Sequence, residues 1–202
     1  MLVPPEKIRY FAIGVSTGGP QALHRLMSTI KETPGASFLI VQHMPAGYTE
    51  HLAKSLNGVS PVTVKEAEDG EAVRENFAYI APGGYHMCVR RSSHGGLELA
   101  LSEEKPERGH RPSFDVLLKS FCETGAGGLA VMVLTGMGND GTVGIRKLRE
   151  TGESIFVVAQ DEESSIVHGM PGAAIRAGVV DLVLPLKEMA DKINQIALRG
   201  VD

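Results

Sequence analysis

Ser16, His43 and two aspartates, Asp140 and Asp161, are the residues whose types and positions could together do chemistry. Ser16 lies in Gly14-Val15-Ser16-Thr17-Gly18-Gly19-Pro20, where an apolar run from Ile8 to Val15 gives way to the helical pattern Ala22, Leu23, Leu26, Met27, Ile30. The G-x-S-x-G spacing is that of a nucleophile elbow, in which glycines let the chain turn sharply from strand to helix and present the serine Oγ above the end of a sheet. The helix after the turn aims free N–H groups and the positive end of its dipole at the same point, which favours an anion or a developing oxyanion. A match of five residues also arises by chance, and glycine-rich turns of this kind commonly cradle phosphates or only turn the chain. No G-K-[ST] comes after the turn, which weakens the phosphate reading. The serine needs a base.

In an open parallel sheet functional groups gather at the carboxyl ends of the strands. His43 directly closes the apolar run Ala36 to Val41, alone in this among the seven histidines. It could equally cap that strand through nearby backbone, but Ser16 at the same edge gives it a partner. His24 and His51 lie within helical patterns, and His86, His94 and His110 lie on or beside a hairpin and the loop after it, so these read as surface or packing. His168, beyond Gln160-Asp161-Glu162-Glu163-Ser164-Ser165, opens onto the functional edge and could support the site. A serine–histidine pair needs an acid to hold the imidazole tautomer. Asp140 and Asp161 both follow strands. Asp140 could be merely a helix N-cap, yet its neighbourhood, Thr135-Gly136-Met137-Gly138-Asn139-Asp140-Gly141, lets backbone approach a substrate and favours it over Asp161.

The elements that must position these residues alternate along the chain. Continuous apolar strands end at Val15, Val41, Leu134 and Ala159, and helices are expected over Gln21–Ile30, from Pro45 through Leu56, from Ser113, over Thr142–Arg149, near Pro171–Ala177 and over Leu186–Leu198. Val62–Val64, Phe77–Ile80 and Val179–Leu184 read as shorter strands, and the acidic segment 65–75 as an exposed loop. Tyr85–Arg91 and Leu97–Leu101 form an antiparallel hairpin through Ser92-Ser93-His94-Gly95-Gly96. The pattern predicts an α/β fold of three layers: a doubly wound, mostly parallel sheet, with the hairpin as its one departure.

Composition excludes several classes. The 202 residues, 43% hydrophobic, suit one core. A net charge of −4 gives no basic footprint for nucleic acid, and Arg90-Arg91 and the cluster of Arg108, His110 and Arg111 read as solvated surface. Cys88 and Cys122 are far apart and in no C-x-x-C pair, which supports neither a zinc site nor a disulfide framework. No secretory leader is evident and no apolar run approaches the roughly 20 residues of a membrane helix. A cytoplasmic chain without membrane insertion is expected.

Four segments make the chain resemble the catalytic domain of the chemotaxis protein-glutamate methylesterases, the CheB family: Ile13–Pro20, Val41–Pro45, Tyr79–Gly84 and Leu134–Gly141. Gln160-Asp161-Glu162 and Gly169-Met170-Pro171 extend the likeness. The resemblance implies that Ser16 is the nucleophile, His43 the base and acid, and Asp140 the residue that orients His43. It puts Thr17 and Met137 at the site, where their backbone N–H groups are expected to face the oxyanion. The implied substrate is a γ-glutamyl methyl ester on the cytoplasmic helices of methyl-accepting chemoreceptors, with deamidation of receptor glutamines as a second activity. No metal or other cofactor is implied. The order Ser, His, Asp differs from the Ser, Asp, His of α/β-hydrolases, and Ser16 follows the first strand, so similar chemistry is expected on a different sheet. Residues 1–7 read as a linker remnant and 8–202 as the catalytic domain, with the family's receiver domain absent and the site therefore uncovered. The rivals are a serine hydrolase of another small ester or amide, and a non-catalytic module that binds receptors.

Overall fold

The computed structural model describes residues 7–32 and 35–197; most of the lead read as a linker, residues 1–6, lies outside them. Among the described residues, nine strands and six helices run in the order β1 (Tyr10–Val15), α1 (Gly19–Thr29), β2 (Ser37–Gln42), α2 (Tyr48–Asn57), β3 (Thr63–Glu66), β4 (Phe77–Ile80), β5 (His86–Arg91), β6 (Leu97–Ser102), α3 (Phe114–Phe121), β7 (Leu129–Val133), α4 (Thr142–Glu150), β8 (Ile155–Gln160), α5 (Met170–Arg176), β9 (Leu182–Leu184) and α6 (Leu186–Ala197). Seven of the strands form one sheet in the order β3-β4-β2-β1-β7-β8-β9, and β5 and β6 pair separately as the expected antiparallel hairpin. Every pairing in the large sheet is parallel.

The alternation of side chains makes three layers from this sheet. Phe11, Ile13 and Val15 of β1, Phe38 and Ile40 of β2 and Phe156 and Val158 of β8 face one way, into a core with apolar residues of α1, α2 and α6. Ala12, Leu39, Val41, Val131 and Val157 face the other way, onto α3, α4, α5 and the hairpin. Because both faces are covered, central strands read as unbroken apolar runs, and all six residues of β2 and of β8 are buried. β1 comes first in the chain but stands in the middle of the sheet. The chain winds out from it to β2 on one side and returns to β7 on the other, so the topological switch lies at the carboxyl ends of β1 and its two neighbours, where a doubly wound fold opens a crevice.

Three of the boundaries that differ from the sequence reading have a clear local reason. Pro45 makes a turn rather than opening a helix: Tyr48 N–H bonds Pro45 C=O at 3.3 Å, and α2 starts only after Gly47, whose φ of +86° is left-handed. Lys65 and Glu66, read as loop, extend β3 opposite Tyr79 and Ile80; their charges are carried at a sheet edge, where polar strands are tolerated. The last strand is confined to Leu182–Leu184, because Gly178 at φ +68° and Asp181, whose carboxylate accepts Val157 N–H at 2.8 Å, make the approach to the sheet irregular.

Candidate active site

Strand register brings the serine and the histidine to one level. Val15 of β1 stands opposite Gln42 of β2, and His43 N–H donates to Val15 C=O at 3.1 Å, so Ser16 and His43 leave neighbouring strands one step past the same rung. Strands in a sheet lie about 5 Å apart, a spacing that side chains bridge. The Gln42 amide ties the two turns together, with Nε2 donating to the carbonyls of both Ser16 and His43 at 3.0 Å. Gln42 Oε1 lies buried without a described partner against Gly19, where a Cβ would fall 1.8 Å from it.

The loop after β7 closes on the elbow from the other side. A Cβ at Gly136 would fall 2.7 Å from Ser16 Cβ and 2.5 Å from Met170 Sδ, so glycine is what lets this loop lie against the serine. Thr135 supplies the polar tie. Its Oγ1 donates to Thr17 C=O at 2.9 Å and accepts Val167 N–H at 3.0 Å, while its own N–H is held by Gln160 Oε1 at 2.8 Å.

Asp140 then reaches back across the top of β1 to His43. Nε2 and Oδ2 are 2.7 Å apart, with the two side chains only 8% and 6% exposed. An ionised carboxylate only accepts, so in the neutral ring Nε2 carries the proton and Nδ1 the lone pair. Nδ1 is buried and has no hydrogen-bond partner among the described residues. Four further donors hold the carboxylate: Ser113 Oγ at 2.9 Å, Asp115 N–H at 2.8 Å and Gly141 N–H at 3.1 Å on Oδ1, and Phe114 N–H at 2.6 Å on Oδ2. Burial alone would raise the Asp140 carboxyl. The His43 and backbone hydrogen bonds outweigh it, and the group titrates below the ordinary aspartate value. Asp140 does cap a helix, as its type suggested, but the helix is α3 rather than its own.

His110 completes the pocket. Its ring stacks on that of His43 with centroids 4.0 Å apart and planes within 7°, and the two line a cleft with Met44, Pro45 and Arg111. Burial, and then the neighbouring His43 charge, push the His110 imidazole below its ordinary value, against the pull of Asp140. The reading of His110 and the arginines about it as solvated surface therefore fails for His110. Arg108 reaches Asn139 Oδ1 at 3.4 Å, beside Asp140 in the same loop. No local pattern announces His110, because it follows no strand and meets His43 only through the loop that folds back before α3. Gln42 was visible as the neighbour of His43, though nothing in the pattern gave it a role.

The remaining candidates separate. Thr17 is exposed and Met137 is 67% exposed, and neither residue's N–H donates to a described residue, whereas Ser16 N–H is taken by Thr135 C=O at 3.0 Å. Asp161 lies outside the cluster, its carboxylate occupied by Ser164 N–H at 3.0 Å and by the Ser164 hydroxyl. His168 pairs through its backbone with Gly136, behind the Met137 loop. His51 bonds Gly47 C=O within its own turn, and His86, the first residue of β5, is buried with Nε2 on Lys105 C=O.

The family model for the CheB methylesterase domain matches residues 11–193. The chain belongs to the CheB methylesterase family. It is 45% identical over 185 residues to the protein-glutamate methylesterase/protein-glutamine glutaminase of Geobacillus kaustophilus, covering 92% of this chain and 52% of that protein. The enzyme of the same name from Pyrococcus abyssi is 42% identical over 192 residues, 95% of this chain and 50% of that one. The chain thus spans about half the length of the curated relatives it matches. The crystal structure of the Thermotoga maritima CheB methylesterase catalytic domain superposes with a TM-score of 0.88 at 36% identity, covering 95% of this chain and all of that one. The seven-stranded parallel sheet with its separate hairpin is accordingly the CheB catalytic-domain fold.

Proposed function

We propose that this chain is a serine hydrolase that demethylates γ-glutamyl methyl esters on the cytoplasmic helices of chemoreceptors and deamidates receptor glutamines, with Ser16, His43 and Asp140 as its triad. The observation that carries this reading is the buried 2.7 Å contact between His43 Nε2 and Asp140, which leaves Nδ1 as the free base at the strand end adjoining Ser16. Nδ1 accepts the Ser16 hydroxyl proton as Oγ forms a bond to the ester carbonyl carbon. The imidazolium is stabilised by the Asp140 charge. As the tetrahedral intermediate collapses, the C–OCH3 bond breaks and Nδ1–H protonates the departing oxygen, giving methanol and a glutamyl-enzyme. Water repeats the path, losing its proton to Nδ1, and releases the free glutamate side chain and Ser16. From a glutamine the leaving group is ammonia.

The Thr17 and Met137 N–H groups are the donors to the oxyanion in this reading, supported by their having no described acceptor. The serine's own N–H is not available to it. An open, apolar rim supports a protein substrate over a small ester. Tyr48, Tyr85, Met137 and Ile166, four of the six exposed large hydrophobics among the described residues, all follow the carboxyl ends of sheet strands. The test is methanol release from a methyl-esterified receptor fragment, with an aryl ester as control. Ser16→Ala should abolish release with fold and fragment binding intact. Turnover by that variant near the wild-type rate would refute the triad, and preference for the aryl ester would refute the substrate.

A further inference from the structure

The loop that carries Asp140 also spells G-x-G-x-x-G from Gly136 to Gly141, and it follows strand β7 and opens helix α4. By spacing this is a place for a phosphate at a helix N-terminus. In this molecule the position is filled from within. Asp115 Oδ1, on α3, accepts Gly141 N–H at 2.9 Å and Gly144 N–H at 2.7 Å, at the first turn of α4. Asp140, just ahead of α4, accepts the Phe114 and Asp115 N–H groups of the first turn of α3. The two helices therefore exchange carboxylates, each capping the other, and neither Ser113 nor Gly141 caps its own helix with a side chain.

Asp115 is fully buried, and its Oδ2 has no described hydrogen-bond partner. Burial, helped by the Asp140 charge, raises its carboxyl above the ordinary value although Gly144 and Gly141 oppose the shift. A second buried acid beside Asp140 is a cost that packing alone does not explain. The helix interface leaves no slack either. A Cβ at Gly144 would fall 2.7 Å from Leu118 Cβ, and one at Gly141 2.5 Å from the Phe114 ring.

We propose that Asp115 is a positioning residue for hydrolysis. By holding the Gly141 and Gly144 N–H groups it fixes the start of α4 against α3, and so sets Asp140 Oδ2 at hydrogen-bonding distance from His43 Nε2. The proposal rests on the triad reading above. It predicts that the acceptor oxygen matters and the charge does not, so Asp115→Asn should work nearly as well as aspartate and Asp115→Ala should not.

The experiment measures kcat and KM on the methyl-esterified receptor fragment, together with the downfield proton resonance of the imidazole N–H shared by His43 and Asp140. Asp115→Ala should lower kcat roughly 10- to 100-fold, as a misplacement of about 1 Å does, with KM within about two-fold and the resonance shifted or exchange-broadened. Asp115→Asn should restore kcat to within about three-fold and recover the resonance. Should the alanine variant not fold, Asp115→Ser, whose shorter side chain sets its oxygen back from the two N–H groups, should show an intermediate loss. A folded alanine or serine variant with wild-type kcat and resonance overturns the proposal, and so does an asparagine variant as impaired as alanine. If the wild-type chain does not turn the ester over, the triad reading fails, while the resonance still decides whether Asp115 sets the His43–Asp140 contact.

Discussion

Replacing Asp140 by asparagine changes one atom, and the donors around it decide which oxygen position the amide nitrogen takes. With the nitrogen in place of Oδ1, it meets the Asp115 N–H at 2.8 Å and the Gly141 N–H at 3.1 Å, two fixed donors, and also the Ser113 hydroxyl, which can rotate. With the nitrogen in place of Oδ2, it meets one fixed donor, Phe114 N–H at 2.6 Å, and the His43 ring, which can change tautomer. The second arrangement is the less costly, and it makes Nε2 an acceptor and puts the proton on Nδ1, the atom that receives the serine proton in the proposed mechanism. Turnover should therefore fall by roughly 10⁴-fold, as it does when the aspartate of a protease triad is amidated. One buried N–H is left without an acceptor and the charge that assisted the others is gone, at a cost of about 2–4 kcal/mol. For a chain of this size that corresponds to a melting temperature lower by roughly 5–15 °C. Methanol release gives the rate and circular dichroism the melting point. An unchanged melting point would refute the convergence of donors on Asp140, and turnover within about ten-fold of wild type would refute the tautomer argument.

Gln42→Met keeps the side-chain length but removes both amide donors to the Ser16 and His43 carbonyls. Ser16 C=O keeps Gly19 N–H at 2.8 Å, so unfolding in urea should show a loss of only about 1 kcal/mol, while kcat falls roughly 10- to 100-fold as the two turns lose their common tie; equal activity would show that strand register alone suffices. His110 is held below its ordinary value, so the folded chain binds fewer protons than the unfolded one, and its contribution is complete above about pH 6.5 and lost as pH falls through that value toward the folded pKa. Urea midpoints at pH 7.5 and 5.5 should therefore diverge less for His110→Gln than for wild type, and the opposite order would mean that stacking on His43 favours the charged ring. Asp161→Asn should change turnover by less than about three-fold, since its carboxylate serves only Ser164; a loss comparable with that of Asp140→Asn would reverse the choice of acid.

Much of this site is legible in the sequence because its parts stand at ends of elements. Ser16 and His43 are marked by the apolar runs they terminate, and a parallel sheet buried on both faces makes those runs continuous. Asp140 is a different case. Its position after a strand was shared with Asp161, and spacing could not separate the two, because what distinguishes them is the partner each finds in space: the first turn of α3 for Asp140, and the hydroxyl and N–H three residues on for Asp161. His110 and Asp115 were illegible for the same reason. Each acts through a contact between segments far apart in the chain, a ring stack across 67 residues for His110 and two hydrogen bonds spanning 26 and 29 for Asp115.

The position of β1 gives these long-range contacts a common cause. A first strand placed in the middle of the sheet takes the next strand, β2, on one side but must receive its other neighbour, β7, from a distant part of the chain. The elbow at its carboxyl end is consequently flanked by loops that no local pattern can relate. Glycine is what lets these segments close: a Cβ at Gly14 of β1 would fall 2.0 Å from the Phe114 ring, and one at Gly141, in the loop after β7, 2.5 Å from the same ring. Phe114 thus wedges the start of α3 over β1, and it is the N–H of this same residue that bonds Asp140 Oδ2. Packing of one apolar ring and placement of the acid are a single event here. Enlarging either glycine should therefore disturb the His43–Asp140 contact, although neither glycine touches the imidazole.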